Sequence, residues 1–216
     1  AYHTVSGQNS NNAVRVTNAF MRAVEKDGEW RTYLRTTNRI CDTYKAKELW
    51  QMVIDSAWAC ADPGIQYDTT INEWHTCPNA GRINASNPCS EYMFVDDSAC
   101  NLASINLDKY VDEKGDFDIE AFRHTVRVLI TAQEILVDYS SYPTEQIARN
   151  SHLFRALGLG CTNLGTVLMR LGIPYDSAQG RAYASAITSI ISGEAYRTSA
   201  ELASVTEPFA EFEANR

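Results

Sequence analysis

Residues 84–107 read NASNPCSEYMFVDDSACNLASINL, and the rest of the chain is organised around them. Asn87, Cys89 and Glu91 sit at every second position, a spacing that a strand or extended loop would project to one side. Pro88 favours extension, because it disfavours helix at Asn87 and removes its own backbone donor. An amide, a thiol and a carboxylate would then converge on one small volume. Cys100 follows beyond the apolar run Tyr92-Met93-Phe94-Val95 and the turn-like Asp96-Asp97-Ser98. The bland alternative is a buried cysteine in a strand, with a capping asparagine and a solvated glutamate.

Working outward, the 216 residues suit one large domain. A net charge of −8 argues against a broad basic surface for a nucleic-acid polymer. No apolar run approaches a membrane span and no signal peptide opens the chain. The six cysteines are too sparse for a disulfide scaffold, so a reduced, cytoplasmic setting is the expectation. The first and last residues suggest a piece of a longer polypeptide.

N-terminal to the central stretch, Ser6–Asn12 reads as a polar loop and Ala13–Val16 as a short strand. Thr17 is placed to cap a helix over Asn18–Lys26, which Asp27-Gly28 stops. Glu29–Arg35 alternates loosely, as a strand or edge. Lys45–Ala61 has helical periodicity, with Leu49, Met52, Val53, Ser56, Ala57 and Cys60 on its apolar side. Asp62-Pro63-Gly64 breaks it, and a short strand over Gly64–Asp68 leads to a loop at Asn72–Pro78. C-terminally, Lys109–Asp118 is a charged connector. Ile119–Tyr139 is a long amphipathic helix with Phe122, Val126, Leu129, Ile130, Ile135 and Leu136 inward. Pro143-Thr144 opens a short segment, Phe154–Gly165 is a strand-to-helix transition, and helices follow over Leu164–Leu171 and Ser177–Val205. Helices alternating with short strands make the fold α/β.

Three further chemistries are open to these residues. A thiol hydrolase would pair Cys89 with His75, although a loop histidine is the plainer role. Zinc could take His75, Cys77, Cys89 and Cys100, but the paired Cys-x-x-Cys spacing is missing and no metal is expected. The Gly158-x-Gly160 pair lacks the third glycine of a dinucleotide fingerprint and fits close strand packing better. Cys41, Cys60 and Cys161 read as core or helix-face residues, and Asn9–Asn12 as a polar loop rather than a ligand pocket. A non-catalytic helical interaction module, with Cys89 and Cys100 merely packed, is the remaining alternative.

Asn87-Pro88-Cys89-Ser90-Glu91 followed by Asp96–Leu107 closely resembles ribonucleotide reductase large subunits, in the wording of the class II, adenosylcobalamin-dependent branch. Ser6–Met21, Trp50–Gly64, Gly81–Ile83, Phe154–Gly165 and Tyr183–Phe209 resemble the same family in the same order. The resemblance implies an oxidoreductase that makes deoxyribonucleotides for DNA synthesis, of the vitamin B12-dependent ribonucleoside-diphosphate reductase type. Cys89 would be the thiyl-radical residue, Glu91 the base for the ribose 3′-hydroxyl, and Asn87 a holder of a ribose hydroxyl. Residues Asn87, Pro88, Cys89, Ser90 and Glu91 together would bind substrate, and Cys100 would be one of two reducing thiols. The cofactor would be adenosylcobalamin. The partners would be a ribonucleoside di- or triphosphate, nucleotide effectors bound elsewhere, a thioredoxin-type reductant and a second copy of the full-length protein. A class I subunit fed a radical by a partner is the neighbouring possibility.

The family fold is a ten-stranded α/β barrel with the radical cysteine on a central loop, away from bulk water. Residues 1–216 would be part of that barrel domain, incomplete at both ends and inactive alone. The second redox cysteine is expected before Ala1. Glu207 and Glu211 stand at surface-like positions where the family pattern leads one to expect glycine.

Overall fold

A computed structural model describes residues 10–216, and the chain divides into two compact units, one ending at Asp96 and one spanning Asp97–Arg216. The Ser6–Asn9 part of the predicted polar loop lies outside the described residues.

In the first unit, β1 (Ala13–Val16) is followed by α1 (Asn18–Glu25), where Thr17 Oγ1 accepts the Phe20 N–H at 3.2 Å as the predicted cap. Phe20 is buried, edge-on to Trp30 at 5.2 Å between ring centroids. Asp27 takes a positive φ of 51°, and the Gly28 N–H returns to the Ala23 carbonyl at 2.8 Å. Next, β2 (Glu29–Tyr33) and β3 (Ile40–Lys45) form an antiparallel hairpin. The sequence reading found the first strand and missed the second. The reason is that all six β3 residues are exposed, so no burial alternation marks the strand.

Helix α2 (Ala46–Cys60) matches expectation in span and in part of its face, with Leu49, Val53 and Ala57 half-buried as expected and Met52, Ser56 and Cys60 exposed. Ala46 is wholly buried, whereas Met52 is 65% exposed and Cys60 lies on the surface. Trp58 is 91% exposed. Strand β4 (Gly64–Tyr67) then pairs in parallel with β1, in the register Val14↔Ile65 and Val16↔Tyr67. Helix α3 (Asp68–Glu73) takes up the start of the predicted Asn72–Pro78 loop. Its Thr69, Thr70 and Ile71 are β-branched and gave no helical signal.

The second unit is a β–α–β arrangement. Strand β5 (Asn101–Asn106) and β6 (Leu157–Thr162) are parallel, with Asn101 opposite Leu157 and Ser104 opposite Gly160. Between them run α4 (Ile119–Tyr139) and α5 (Glu145–Phe154), capped by Asp118 and Thr144. Parallel strands require such a crossover. After β6 come α6 (Leu164–Arg170), α7 (Ala178–Thr206) and α8 (Phe212–Asn215). The Lys109–Asp118 connector is more ordered than its charge suggested. Val111 and Phe117 form a bridge around Asp112, whose Oδ1 accepts the N–H groups of Lys114 and Asp116.

The inward face of α4 is Phe122, Val126, Ile130, Gln133 and Val137. Ile135 and Leu136, expected inside, are 54% and 49% exposed. Five residues past Ile130 the helix has turned about 140° away from that face. Ile187 and Ile191 of α7 complete the core, and the buried Glu194 accepts from Arg123 Nε at 3.0 Å. Arg155, at φ 50°, ends α5 and is held by Glu134 and Asp138 at 2.5 and 2.8 Å before the chain enters β6. Glu207, where the family pattern suggested glycine, has φ 69°, a region that glycine enters freely.

Phe122 is fully buried, with Tyr110 and Phe117 ring centroids 5.1 and 5.2 Å away. Phe122→Ala is expected to cost about 3–5 kcal/mol, read as a lowered denaturant midpoint at an unchanged slope.

The mixed α/β class therefore holds. The described residues form six strands in three pairs.

Candidate functional site

The residues of the NPCSE run do not lie on a strand. Asn87-Pro88-Cys89-Ser90 is a turn, in which the Ser90 N–H donates to the Asn87 carbonyl at 3.1 Å and Ser90 has φ 66°. Pro88, at the second position, fixes the φ that a turn requires, and this outweighs the period-two pattern. The expectation of one shared extended face for Asn87, Cys89 and Glu91 is corrected accordingly. Asn87 Oδ1 accepts the Tyr92 N–H at 3.0 Å and closes the loop behind the turn. Cys89 and Glu91 are exposed, and Asn87 is half-buried. The implied shielding of Cys89 from water is thus not present in this unit, because Cys89 stands at the tip of the turn. It is presented outward.

The β1–β4 pair braces that tip through polar side chains. Gln66 of β4, 7% exposed, donates from Nε2 to Ser86 Oγ at 2.7 Å and Ser90 Oγ at 2.9 Å. Ser86 Oγ in turn donates to the Asn87 carbonyl at 2.8 Å. Gln66 Oε1 is held by Arg15 Nη1 at 2.9 Å, and Arg15 also reaches Asp68 Oδ1 and the Ile83 carbonyl, both at 2.7 Å. Arg82 pairs with the second Asp68 oxygen. Asn72 clamps both backbone groups of Ile83, donating to its carbonyl at 3.1 Å and accepting its N–H at 3.0 Å. These links tie the strand pair and α3 to residues 82–90, the turn and the segment that leads into it. Arg15, Gln66, Asp68, Asn72 and Ser86 were not singled out by sequence, since single polar residues in short strands, a short helix and a loop resemble ordinary surface positions.

Hydrogen bonds from Arg15 and Arg82 hold the Asp68 carboxyl below the usual carboxylate range. A depressed folded-state value gives stability that is present above the unfolded value near ~3.9 and is lost as pH falls through the folded one. Asp68→Asn is therefore expected to cost about 2 kcal/mol at neutral pH and progressively less as pH falls through the folded-state value. Urea titrations of both proteins across pH 2–7 measure the convergence.

A cleft of about 500 Å³ opens beside Ser90, walled by Tyr67, Trp74, His75, Ile83 and Met93. Trp74 is 81% exposed there. His75 is committed locally. Its Nδ1 accepts the Cys77 N–H at 3.2 Å, its Nε2 lies 3.1 Å from the Gly81 carbonyl, and its ring meets Phe94 edge-on. With both ring nitrogens engaged, it is a loop histidine rather than a base for Cys89. Among the described residues, no three His, Cys, Asp or Glu side chains gather as metal ligands would.

Cys100 lies in the second unit, half-buried at the head of β5, with its Sγ 3.6 Å from the Asn101 carbonyl. Across the ladder, a Cβ on Gly158 would stand 3.0 Å from Cys100 Sγ and collide with Leu102. The close-packing role expected of that glycine is thereby given a partner. Cys41, Cys60 and Cys161, read as core or helix-face residues, are all exposed. They fall on the open hairpin, the last turn of α2 and the far end of β6, where little packs over them. Asn12 remains a polar-loop residue, donating to Asp62 Oδ2 at 3.0 Å.

Cys89 thus stands exposed on a proline turn of the first unit with the Glu91 carboxylate two residues on, and Cys100 precedes the parallel strand β5 of the second unit. The chain belongs to the ribonucleotide reductase barrel-domain family, whose model matches residues 2–216. It is 57% identical over 211 residues to the vitamin B12-dependent ribonucleotide reductase of Rhodopirellula baltica, covering 97% of this chain and 20% of that protein. The Agrobacterium fabrum protein of the same name is 51% identical over 217 residues, covering 17% of its length. The vitamin B12-dependent ribonucleoside-diphosphate reductase of Thermoplasma acidophilum is 33% identical over 195 residues. The chain spans about a fifth of the length of the curated relatives that it matches most strongly.

Proposed function

We propose that these residues act within a longer polypeptide that reduces ribonucleotides to 2′-deoxyribonucleotides by thiyl-radical chemistry. The observation that carries this reading is the Cys89 thiol, exposed at the tip of a turn that Gln66, Ser86 and Ser90 hold in place. A radical residue needs a rigid mount and an unobstructed sulfur. This turn supplies both. Family membership supports a barrel setting, in which the turn would be the central loop, and the relatives' names favour vitamin B12 over a radical-donating partner subunit.

Bound adenosylcobalamin would supply the carbon radical that removes the Cys89 thiol hydrogen, and the exposure of Cys89 fits that requirement. The chain's own residues do the rest. The Cys89 sulfur takes the ribose 3′-hydrogen and later returns it. Glu91 accepts the 3′-hydroxyl proton while the 2′-hydroxyl leaves as water. Asn87, whose Oδ1 is already used by the Tyr92 N–H, offers its Nδ2 amide to a ribose oxygen. Cys100 and a second cysteine give up two electrons and two protons and become a disulfide, which a thioredoxin-type protein restores.

Ribonucleoside diphosphate is the substrate that we favour, because the Thermoplasma acidophilum relative carries it in its name. Effector sites and pairing with a second copy would belong to the remaining length of the polypeptide. The test is the complete polypeptide with adenosylcobalamin, a dithiol and a ribonucleotide, with no second subunit added. Deoxyribonucleotide formation supports the proposal. A requirement for a separate radical-bearing subunit would shift it to the class I branch.

A further inference from the structure

The thiol at Cys100 is surrounded by a polar arrangement that the chemistry above leaves unused. Gln133 lies on the buried face of α4 and is only 2% exposed. Its Nε2 donates twice, to the Asn101 carbonyl at 3.1 Å and to the Gly158 carbonyl at 2.7 Å. Asn101 Nδ2 answers with a bond to the Gln133 carbonyl at 3.1 Å. One side chain therefore pins the starts of β5 and β6 to each other and to the helix above them. The Asn101 carbonyl is the same oxygen that lies 3.6 Å from Cys100 Sγ, and Gly158 is the residue whose missing Cβ leaves room for that sulfur.

Packing alone does not explain this choice of residue. Gln133 Oε1 and Asn101 Oδ1 are both buried without a hydrogen-bond partner. Buried polar atoms left unmatched cost free energy, and at position 133 that cost is set against the two bonds that Nε2 donates. The amide is retained where its donors meet the two carbonyls flanking a thiol.

We propose that Gln133 is a positioning residue for the Cys100 thiol. By sharing the Asn101 carbonyl, it fixes the direction of that oxygen and draws off part of its electron density, so the sulfur faces a weaker acceptor. By holding Gly158 it keeps the space beside the sulfur open. Without Gln133 the carbonyl bears on the sulfur alone and the thiol becomes a poorer nucleophile. The inference rests on reading Cys100 as a redox thiol.

Gln133→Met keeps the length and bulk of the side chain and deletes both donors. In the complete polypeptide, the rate of Cys100 alkylation by iodoacetamide at one fixed pH, resolved by mass spectrometry, is expected to fall roughly three- to tenfold, the scale of one lost hydrogen bond. kcat in the dithiol-driven reaction should fall in parallel, with the nucleotide KM within about twofold. Ile135→Ala, on the exposed side of the same helix, should alter neither. If Gln133→Met does not fold, Gly158→Ala approaches the same sulfur from β6 and should shift the alkylation rate by a similar factor. A lowered melting temperature with unchanged or faster alkylation would make Gln133 a core hydrogen-bonding residue only and overturn the inference. Cys100→Ser in parallel separates the two ideas, since repeated turnover in that variant overturns the redox reading itself, whatever Gln133 does.

Discussion

Cys89→Ser in the complete polypeptide is expected to reduce deoxyribonucleotide formation by about 10⁴-fold or more, as removal of a covalently reacting group does in other enzymes. Serine preserves the size and polarity of the side chain. It does not preserve the weak S–H bond that makes a sulfur radical accessible. Because Cys89 is exposed and the turn is set by Pro88, Ser90 and Gln66, the substitution should leave the backbone and the melting temperature unchanged. Ribonucleotide affinity, measured by calorimetry, should stay within a few fold. Near-normal turnover would return Cys89 to the role of a surface thiol.

The second large effect is at Glu91. Glu91 is exposed, two residues beyond the thiol. As the base for the ribose 3′-hydroxyl it should contribute on the scale of about 10²- to 10⁴-fold, so Glu91→Gln should lower kcat by that range with little change in KM. The glutamine keeps the shape and loses the proton acceptor. Exchange of the ribose 3′-hydrogen should persist, since that step belongs to Cys89. A variant that lost exchange and reduction together would mean that Glu91 positions the sugar rather than accepting a proton.

Much of the fold was legible because local physics decided it. Thr17, Asp118, Thr144 and Ser177 each accept the N–H three residues on, the 3.6 period marked α4, and an uninterrupted run rich in Ala, Ile and Ser marked α7. What escaped had no local signal. Strand β3 buries nothing, α3 is built from β-branched residues, and the exposed faces of α2 and α4 carry Met52, Ile135 and Leu136. The site followed the same division. The chemistry-bearing residues were visible as types in a motif, but a two-residue alternation suggested a strand where Pro88 and a positive φ at Ser90 make a turn. The supports at Arg15, Gln66, Asp68 and Gln133 were invisible, because their partners lie 14 to 68 residues away in sequence.

The claim at the centre is that the Cys89 sulfur carries an unpaired electron during turnover. Rapid-freeze electron paramagnetic resonance on the complete polypeptide with adenosylcobalamin and ribonucleotide addresses it most directly, with deuterium placed at the cysteine β-carbons. The account predicts a sulfur-centred signal that forms within a turnover, changes its hyperfine structure on β-deuteration and is missing in Cys89→Ser. A signal of the same intensity in Cys89→Ser, or one insensitive to cysteine deuteration, would contradict it.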